Sequence, residues 1–174
     1  GDYANFNISN GTLGNVSGAS IIDRKIESVG NGWYRCSVTY SFNSNSFVGI
    51  ALIRSDVSTR YEVYQGDNTS GTYIQDSQVE SGLVATDYIE TRATTAKAGV
   101  LENTPRLDYS GGATEPSLLL EPQRTNQLEN SEYFGSWNNT SYPVTITSNA
   151  ATSPDGNTNA TLITPTSGNS RHAT

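Results

Sequence analysis

The stretch from residue 99 to residue 126 constrains the fold more than any other, because its pattern fits neither a helix nor a half-buried strand. It runs GVLENTPRLDYSGGATEPSLLLEPQRTN and holds three prolines, one Gly-Gly pair and one short apolar run, Leu118 to Leu120. Proline removes backbone donors and paired glycines favour a turn, so regular structure is interrupted every few residues. We therefore expect an extended connector whose single apolar run docks onto a neighbouring surface.

Alternating apolar and polar residues on both sides of this connector predict short strands. The expected strands are Tyr3–Ile8, Ser20–Val29, Trp33–Phe42, Phe47–Arg54, Arg60–Tyr64 and Thr72–Glu80 before it, and 144–147 and 159–163 after it. Turn residues separate them, with Asn-Gly at 10–11, Gly-Asn-Gly at 30–32 and Ser-Pro-Asp-Gly at 153–156. Only 16% of the residues are charged, which suits many short strands better than long helices. The expected class is all-β.

The charge balance excludes several classes of partner. The chain carries a formal net charge of −7 at pH 7, which repels phosphate backbones and anionic lipid surfaces. No apolar stretch approaches the ~20 residues of a membrane span, so we expect neither nucleic-acid binding nor membrane insertion. Cys36 is the only cysteine and lies in a strongly alternating segment, where Tyr34, Cys36, Val38 and Tyr40 share one face. We expect it to be a buried structural thiol.

Several segments resemble tail-fibre and other virion-surface proteins of bacteriophages. LENTPRLDY at 101–109 and SLLLEPQRTN at 117–126 are similar to a connector that leads into a jelly-roll β-sandwich in those proteins. VGNGWYRCSV at 29–38 resembles a strand pair in the middle of such a domain, and SGTYI at 70–74 with QVESG at 78–82 resembles its closing strand. The resembling proteins often carry Trp-Gly where this chain has Gln75-Asp76.

The resemblance implies a jelly-roll β-sandwich architecture in three parts. Residues 1–92 would form the C-terminal part of one module, 93–125 the extended connector, and 126–174 the opening strands of a second module. We expect the chain to be a piece of a longer protein; in the alternative, strands exchanged between copies complete each half. The apolar connector residues expected to make assembly contacts are Leu107, Tyr109, Leu118, Leu119 and Leu120.

Aromatic residues supply the candidate binding site. Sugar faces stack on flat rings while polar neighbours bind the hydroxyls, although most aromatic residues of a sandwich belong to its core. The candidates are Trp33, Tyr61, Tyr64 and Tyr73, of which Tyr61 and Tyr64 have the most polar neighbours and are the best candidates for exposure.

Catalytic and metal-binding patterns are sparse. His172 is the only histidine, so neither a zinc site nor a serine triad can be assembled from this sequence, and nothing places an acid pair such as Asp76 and Glu80 in a cleft. No cofactor is required. The resembling jelly rolls commonly hold a structural calcium, which implies oxygen ligands from Asp76, Glu129 and Asp155, with Glu132 as a further candidate.

The resemblance thus implies a non-enzymatic structural or attachment protein of the virion surface, part of a bacteriophage tail or head fibre. It would form a homo-oligomer, of which a trimer is one candidate, and would contact other virion proteins and cell-surface glycans. The alternative is a secreted bacterial carbohydrate-binding module of a polysaccharide-active enzyme or adhesin. A lyase or hydrolase lacks any motif in this sequence.

Overall fold

The computed structural model describes residues 1–41, 48–60, 62–82, 85–98, 106–108, 115, 117–119, 124–137 and 143–173. These residues form fifteen short strands and one 3₁₀ turn, Phe134–Ser136, with no α-helix in the described part of the chain. The paired strands are all antiparallel, as expected for strands joined by tight turns. The expected all-β class is confirmed.

Two hairpins form the N-terminal part. Strands β1 (Tyr3–Asn7) and β2 (Thr12–Ser17) pair with each other, as do β3 (Ile21–Gly30) and β4 (Trp33–Tyr40). The turn of the second hairpin has Asn31 and Gly32 at φ 52° and 80°, the left-handed conformation that Asn and Gly tolerate best. The strands predicted in this region are therefore confirmed to within two residues at each described end.

The second hairpin has two chemically different faces. Tyr34, Cys36 and Val38 alternate along β4 on the side that approaches the first hairpin, where a Cβ atom at Gly11 would overlap the ring of Tyr34. The expected burial of Cys36 is wrong, since the residue is exposed. Among the described strands, β3 and β4 pair only with each other, and this small sheet leaves part of its apolar side uncovered. Local desolvation still raises the pKa of the thiol to about 11, so it stays protonated at neutral pH.

Asparagines attach the first hairpin to the loop at 55–58. The Asn5 amide donates to the carbonyls of Asp56 at 3.1 Å and Ser58 at 2.7 Å, and the Asn15 amide donates to that of Val57 at 3.0 Å. Polar contacts therefore hold this junction together.

The C-terminal part forms a second group of strands with residues from the first ninety. In a three-stranded sheet, β12 (Val144–Ala151) pairs with β13 (Ala160–Pro165), which pairs with β7 (Thr72–Ile74). The chain continues through β14 (Gly168–Ser170) and β15 (His172–Ala173), which pair with β6 (Tyr64–Gly66) and β5 (Ala51–Leu52). One C-terminal segment thus runs past three short strands of the N-terminal half within the same chain.

Three predicted strands are shorter than the pattern indicated. In the described part of the predicted strand, 48–54, only Ala51–Leu52 is a strand, and Val48 is 55% exposed. This part of the apolar run is therefore not a core strand. The strand predicted to end at Tyr64 instead begins there. The strand from Thr72 stops at Ile74 because Asp76 takes a φ of 55°, which interrupts an extended conformation.

The connector contains local strand pairs that the sequence did not reveal. β8 (Ala96–Ala98) pairs with β11 (Arg124–Asn126), and β9 (Arg106–Asp108) pairs with β10 (Ser117–Leu119). The backbones at Leu107, Leu118 and Leu119 are thereby placed in strands, whereas Tyr109 and Leu120 lie outside the described residues. Their predicted role in assembly remains a prediction.

The described core is small and partly polar. Its buried apolar residues are Tyr64, Phe134, Val144, Ala160 and Ile163. Asn126, Thr91 and Ser131 are at most 1% exposed. Thr91 and Ser131 hydrogen-bond each other, and the Asn126 side chain binds the backbone of Val79 and Ile89. Buried polar groups are tolerated only when they are paired, so this cluster must be nearly fully satisfied.

Candidate functional site

The outer face of the β3–β4 hairpin is the best-formed candidate site. Cross-strand register places Asp23 opposite Thr39, Lys25 opposite Ser37 and Glu27 opposite Arg35. Because successive side chains alternate between faces, these three pairs share the face opposite Tyr34 and Cys36. Together with Ala85 they line a groove that encloses about 100 Å³.

Ala85 completes the wall of this groove, and hydrogen bonds hold the residues that follow it. The guanidinium of Arg35 donates to the carbonyl of Thr86, which joins the wall to β4. The carboxylate of Glu80 accepts the Thr86 backbone N–H at 2.7 Å and its hydroxyl at 2.6 Å. Gln78 adds three contacts: its amide nitrogen donates to the Thr86 hydroxyl and the Asp87 carbonyl, each at 3.4 Å, and its amide oxygen accepts the Ile89 N–H at 2.8 Å. The groove is therefore largely built before any ligand binds.

The charges in the groove balance. Asp23 and Glu27 supply two carboxylates, while Lys25 and Arg35 supply two cations. The Lys25 ammonium lies 2.7 Å from a carboxylate oxygen of Glu27, and both side chains are at least half exposed. An exposed pair of this kind is worth at most ~1 kcal/mol, so both groups can exchange partners at little cost.

Trp33 extends this face towards the hairpin turn. Strand alternation puts its side chain on the same face as Arg35 and Ser37, and the residue is partly exposed. An indole ring at the end of a polar groove is a suitable surface on which a sugar ring can stack.

The two other described aromatic candidates lie on strands outside the β3–β4 hairpin. Tyr73 is 46% exposed and lies on β7, in the C-terminal group of strands. The expected exposure of Tyr64 is wrong: the residue is only 9% exposed, because β6 pairs with β14 and its ring joins the core. Tyr61 lies outside the described residues.

Only some of the acidic residues expected to bind calcium lie near one another. Partial burial of the Asp76 carboxyl raises its pKa, and the negative charge of Asp155 raises it further, so these two side chains are near each other. The pKa of Glu132 is also raised, mainly by burial and then by the charges of Glu90, Asp76 and Asp155, despite a hydrogen bond with Tyr88. Glu129 is exposed and contributes to neither shift.

The Asp155 carboxylate is hydrogen-bonded within its own turn. Its carboxylate accepts the Ser153 hydroxyl, the Asn157 backbone N–H at 2.9 Å and the Asn157 amide at 2.9 Å, which lowers its pKa to about 2. Within the described ranges, no three His, Cys, Asp or Glu side chains form a group that could hold a metal ion. The calcium expectation thus gains no support from this geometry and stays a prediction.

Sequence reasoning missed the groove and one exposed ring. Asp23, Lys25 and Glu27 lie in the predicted strand Ser20–Val29, and the sequence pattern indicated no function for them. Their opposition to Arg35 and Ser37 depends on the register, which the Asn-Gly turn could have supplied. Tyr133 is 47% exposed beside Arg92, while its neighbour Phe134 is fully buried.

Comparisons with known proteins identify no relative. No family model, no curated protein and no solved structure matches this chain. The described residues also include no helix long and apolar enough to cross a membrane.

Proposed function

We propose that this protein is a non-enzymatic attachment component of a virion surface, part of a bacteriophage tail or head fibre, and that it binds cell-surface glycans in the groove of the β3–β4 hairpin. The virion assignment is supported by the resemblance of the connector and hairpin segments, and the jelly-roll architecture belongs to the same proposal. The groove itself carries the glycan assignment.

The single observation behind glycan binding is the row of paired polar side chains that ends at Trp33. Hydroxyl groups at Ser37 and Thr39 and charged groups at Lys25, Glu27 and Arg35 can donate to and accept from sugar hydroxyls. An aromatic ring in line with them supplies the stacking surface. Such sites combine a flat apolar contact with a few fixed polar groups, and this face offers both.

The spacing of the two carboxylates in the groove supports binding without turnover. Asp23 and Glu27 are four residues apart on one strand, so their Cα atoms lie about 13 Å apart. Glycoside hydrolysis needs two carboxyl groups roughly 5–10 Å apart on either side of the scissile bond. Lys25 also lies between them and pairs with Glu27. Binding without cleavage is therefore the better fit.

The test is a glycan-binding screen with the whole chain and two groove variants. Trp33→Ala should weaken binding by roughly tenfold, since loss of a stacking contact costs about 1 kcal/mol or somewhat more. Ser37→Tyr should abolish binding by filling the groove. Thr145→Tyr, which adds the same ring to an exposed position on β12, is the matched control and should bind normally.

Two results would contradict the proposal. Equal binding by Ser37→Tyr and Thr145→Tyr would place the glycan elsewhere. Release of reducing ends from a bacterial surface polysaccharide, lost on Asp23→Asn or Glu27→Gln, would show an enzyme.

Proteomic detection of the chain in culture supernatant without particles would favour the secreted carbohydrate-binding module.

A further inference from the structure

We infer that the ligand of this groove is an uncharged, unbranched glycan that lies lengthwise along β3 and β4. This inference rests on the proposed glycan-binding function and adds the charge and shape of the ligand. Its evidence is the charge balance of the groove, the field of the whole chain and the length of the row of side chains.

Both cations of the groove already have polar partners, and two carboxylates lie beside them in the same groove. Lys25 pairs with Glu27 at 2.7 Å, and Arg35 is tied to the carbonyl of Thr86 and lies opposite Glu27. A carboxylate or sulfate on the ligand would have to displace these partners and would meet Asp23 and Glu27 in the same groove. Sugar hydroxyls, by contrast, can share these groups, because each carboxylate still has free lone pairs.

The net charge of the whole chain also disfavours an acidic ligand. The chain carries a net charge of −7, and the groove contributes nothing to it because its two acids and two bases cancel. The net charge of the chain therefore repels an acidic polysaccharide, and the groove adds no net positive charge to offset this, whereas a neutral polysaccharide does not feel the field. The groove is the kind of surface that selects against anions.

The arrangement of the side chains favours a chain of sugars over a single terminal residue. The three cross-strand pairs follow one another at intervals of two residues, about 6.6–6.8 Å each. Trp33 lies beyond the last pair, towards the turn, so the polar row and the ring extend along the strand direction. Several sugar units in a line can contact this row, while one unit can reach only one or two pairs.

The experiment uses matched ligands that differ only in charge. Neutral unbranched oligosaccharides of one to six units are titrated into the full chain, alongside the same oligosaccharides with their primary hydroxyls oxidised to carboxylates. The neutral series should bind better at every length, and affinity should rise from one unit to about three or four before levelling. Glu27→Gln frees Lys25 and should raise affinity for the oxidised series about fivefold, as expected for one exposed ion pair.

Glu129→Gln is the control, because it makes the same change in net charge at an exposed position outside the groove. It should leave both series unchanged, and the gain of Glu27→Gln should fall at high salt. A wild-type preference for the oxidised series, or equal gains in both variants, would overturn the neutral-ligand inference while glycan binding itself stands. Equal affinity for one and six units would overturn the lengthwise arrangement. Failure of every oligosaccharide to bind would overturn the proposed function as well.

Discussion

The side-chain amide oxygen of Asn126 accepts the backbone N–H of Val79 at 3.1 Å, which joins the end of the connector to the segment after β7. The same oxygen accepts the Leu128 N–H at 3.1 Å, and the amide nitrogen donates to the carbonyls of Ile89 at 2.8 Å and Ser77 at 3.4 Å. Asn126 is fully buried. One side chain thus ties together segments that are 37 to 49 residues apart in sequence.

Replacing Asn126 should be among the most damaging single changes in the chain. Asn126→Ala leaves four backbone groups without partners, and each buried unsatisfied group costs ~1–3 kcal/mol, so we expect a loss of at least about 3 kcal/mol. Chemical denaturation should show this loss, and hydrogen exchange at Val79 and Leu128 should quicken. Gln127→Ala removes an exposed amide with one side-chain contact, to Ser81, and should cost under ~1 kcal/mol. Similar losses for both variants would contradict the role of Asn126.

Stability should pass through a maximum near pH 4 because the acidic residues fall into two opposed groups. The pKa of Asp155 is lowered from 3.8 to about 2, so its contribution is complete above pH 3.8 and is lost as pH falls towards 2. The pKa of Asp67 is lowered in the same way, by hydrogen bonds from the Ser70 hydroxyl and nearby backbone N–H groups. Asp76 and Glu132 have raised pKa values, so the folded state binds more protons and stability declines as pH rises through 3.8 and 4.5.

Variants separate the two limbs of this pH profile. Asp155→Asn should reduce the change in unfolding free energy between pH 2 and 4. Asp76→Asn combined with Glu132→Gln should reduce its decline above pH 4. Thermal unfolding measured every half unit from pH 2 to pH 7 checks both limbs. A stability curve that rises steadily to pH 7 would contradict the raised pKa values of Asp76 and Glu132.

Asp76→Gly should stabilise the protein by about 1 kcal/mol. Asp76 has a φ of 55°, which glycine adopts without the strain of a Cβ atom, and the change also removes a carboxylate close to Asp155 and Glu132. Asp76→Ala removes the charge and keeps the Cβ, so it should gain less than Asp76→Gly in urea denaturation. Equal gains would assign the whole effect to charge.

Cross-linking should show that the C-terminal strand pairs within its own chain. Tyr73 and Leu162 lie directly opposite each other on β7 and β13, at the separation of ~4.5–5.5 Å expected for antiparallel partners, which suits a disulfide. We therefore expect Tyr73→Cys with Leu162→Cys, in a Cys36→Ser background, to oxidise to a monomer with altered mobility on a non-reducing gel. The pair Tyr73→Cys and Thr145→Cys, which sit on strands that do not pair, is the control. Covalent dimers at low protein concentration would instead support strand exchange between copies.

The sequence by itself determined the all-β class, strand β1 with the turn that follows it, the β3–β4 hairpin and the turn at Ser153 to Gly156. It did not predict β2, the second strand of the first hairpin. The predicted features depend on alternation and on residues that accept positive φ, which are local properties of the chain. The apolar face of Tyr34, Cys36 and Val38 was also predictable. Its burial was not, because burial depends on what covers the face.

Only the tertiary structure decided which distant segments meet. The short strands at 51–52, 64–66 and 72–74 exist because the C-terminal segment runs past them, so a local pattern could not fix their bounds. The same pairing buries Tyr64, which its polar neighbours had made a candidate for exposure. The groove also depends on the contact of Arg35 with Thr86, 51 residues away. Long-range contacts of this kind carry no signal in the spacing of residues along one chain.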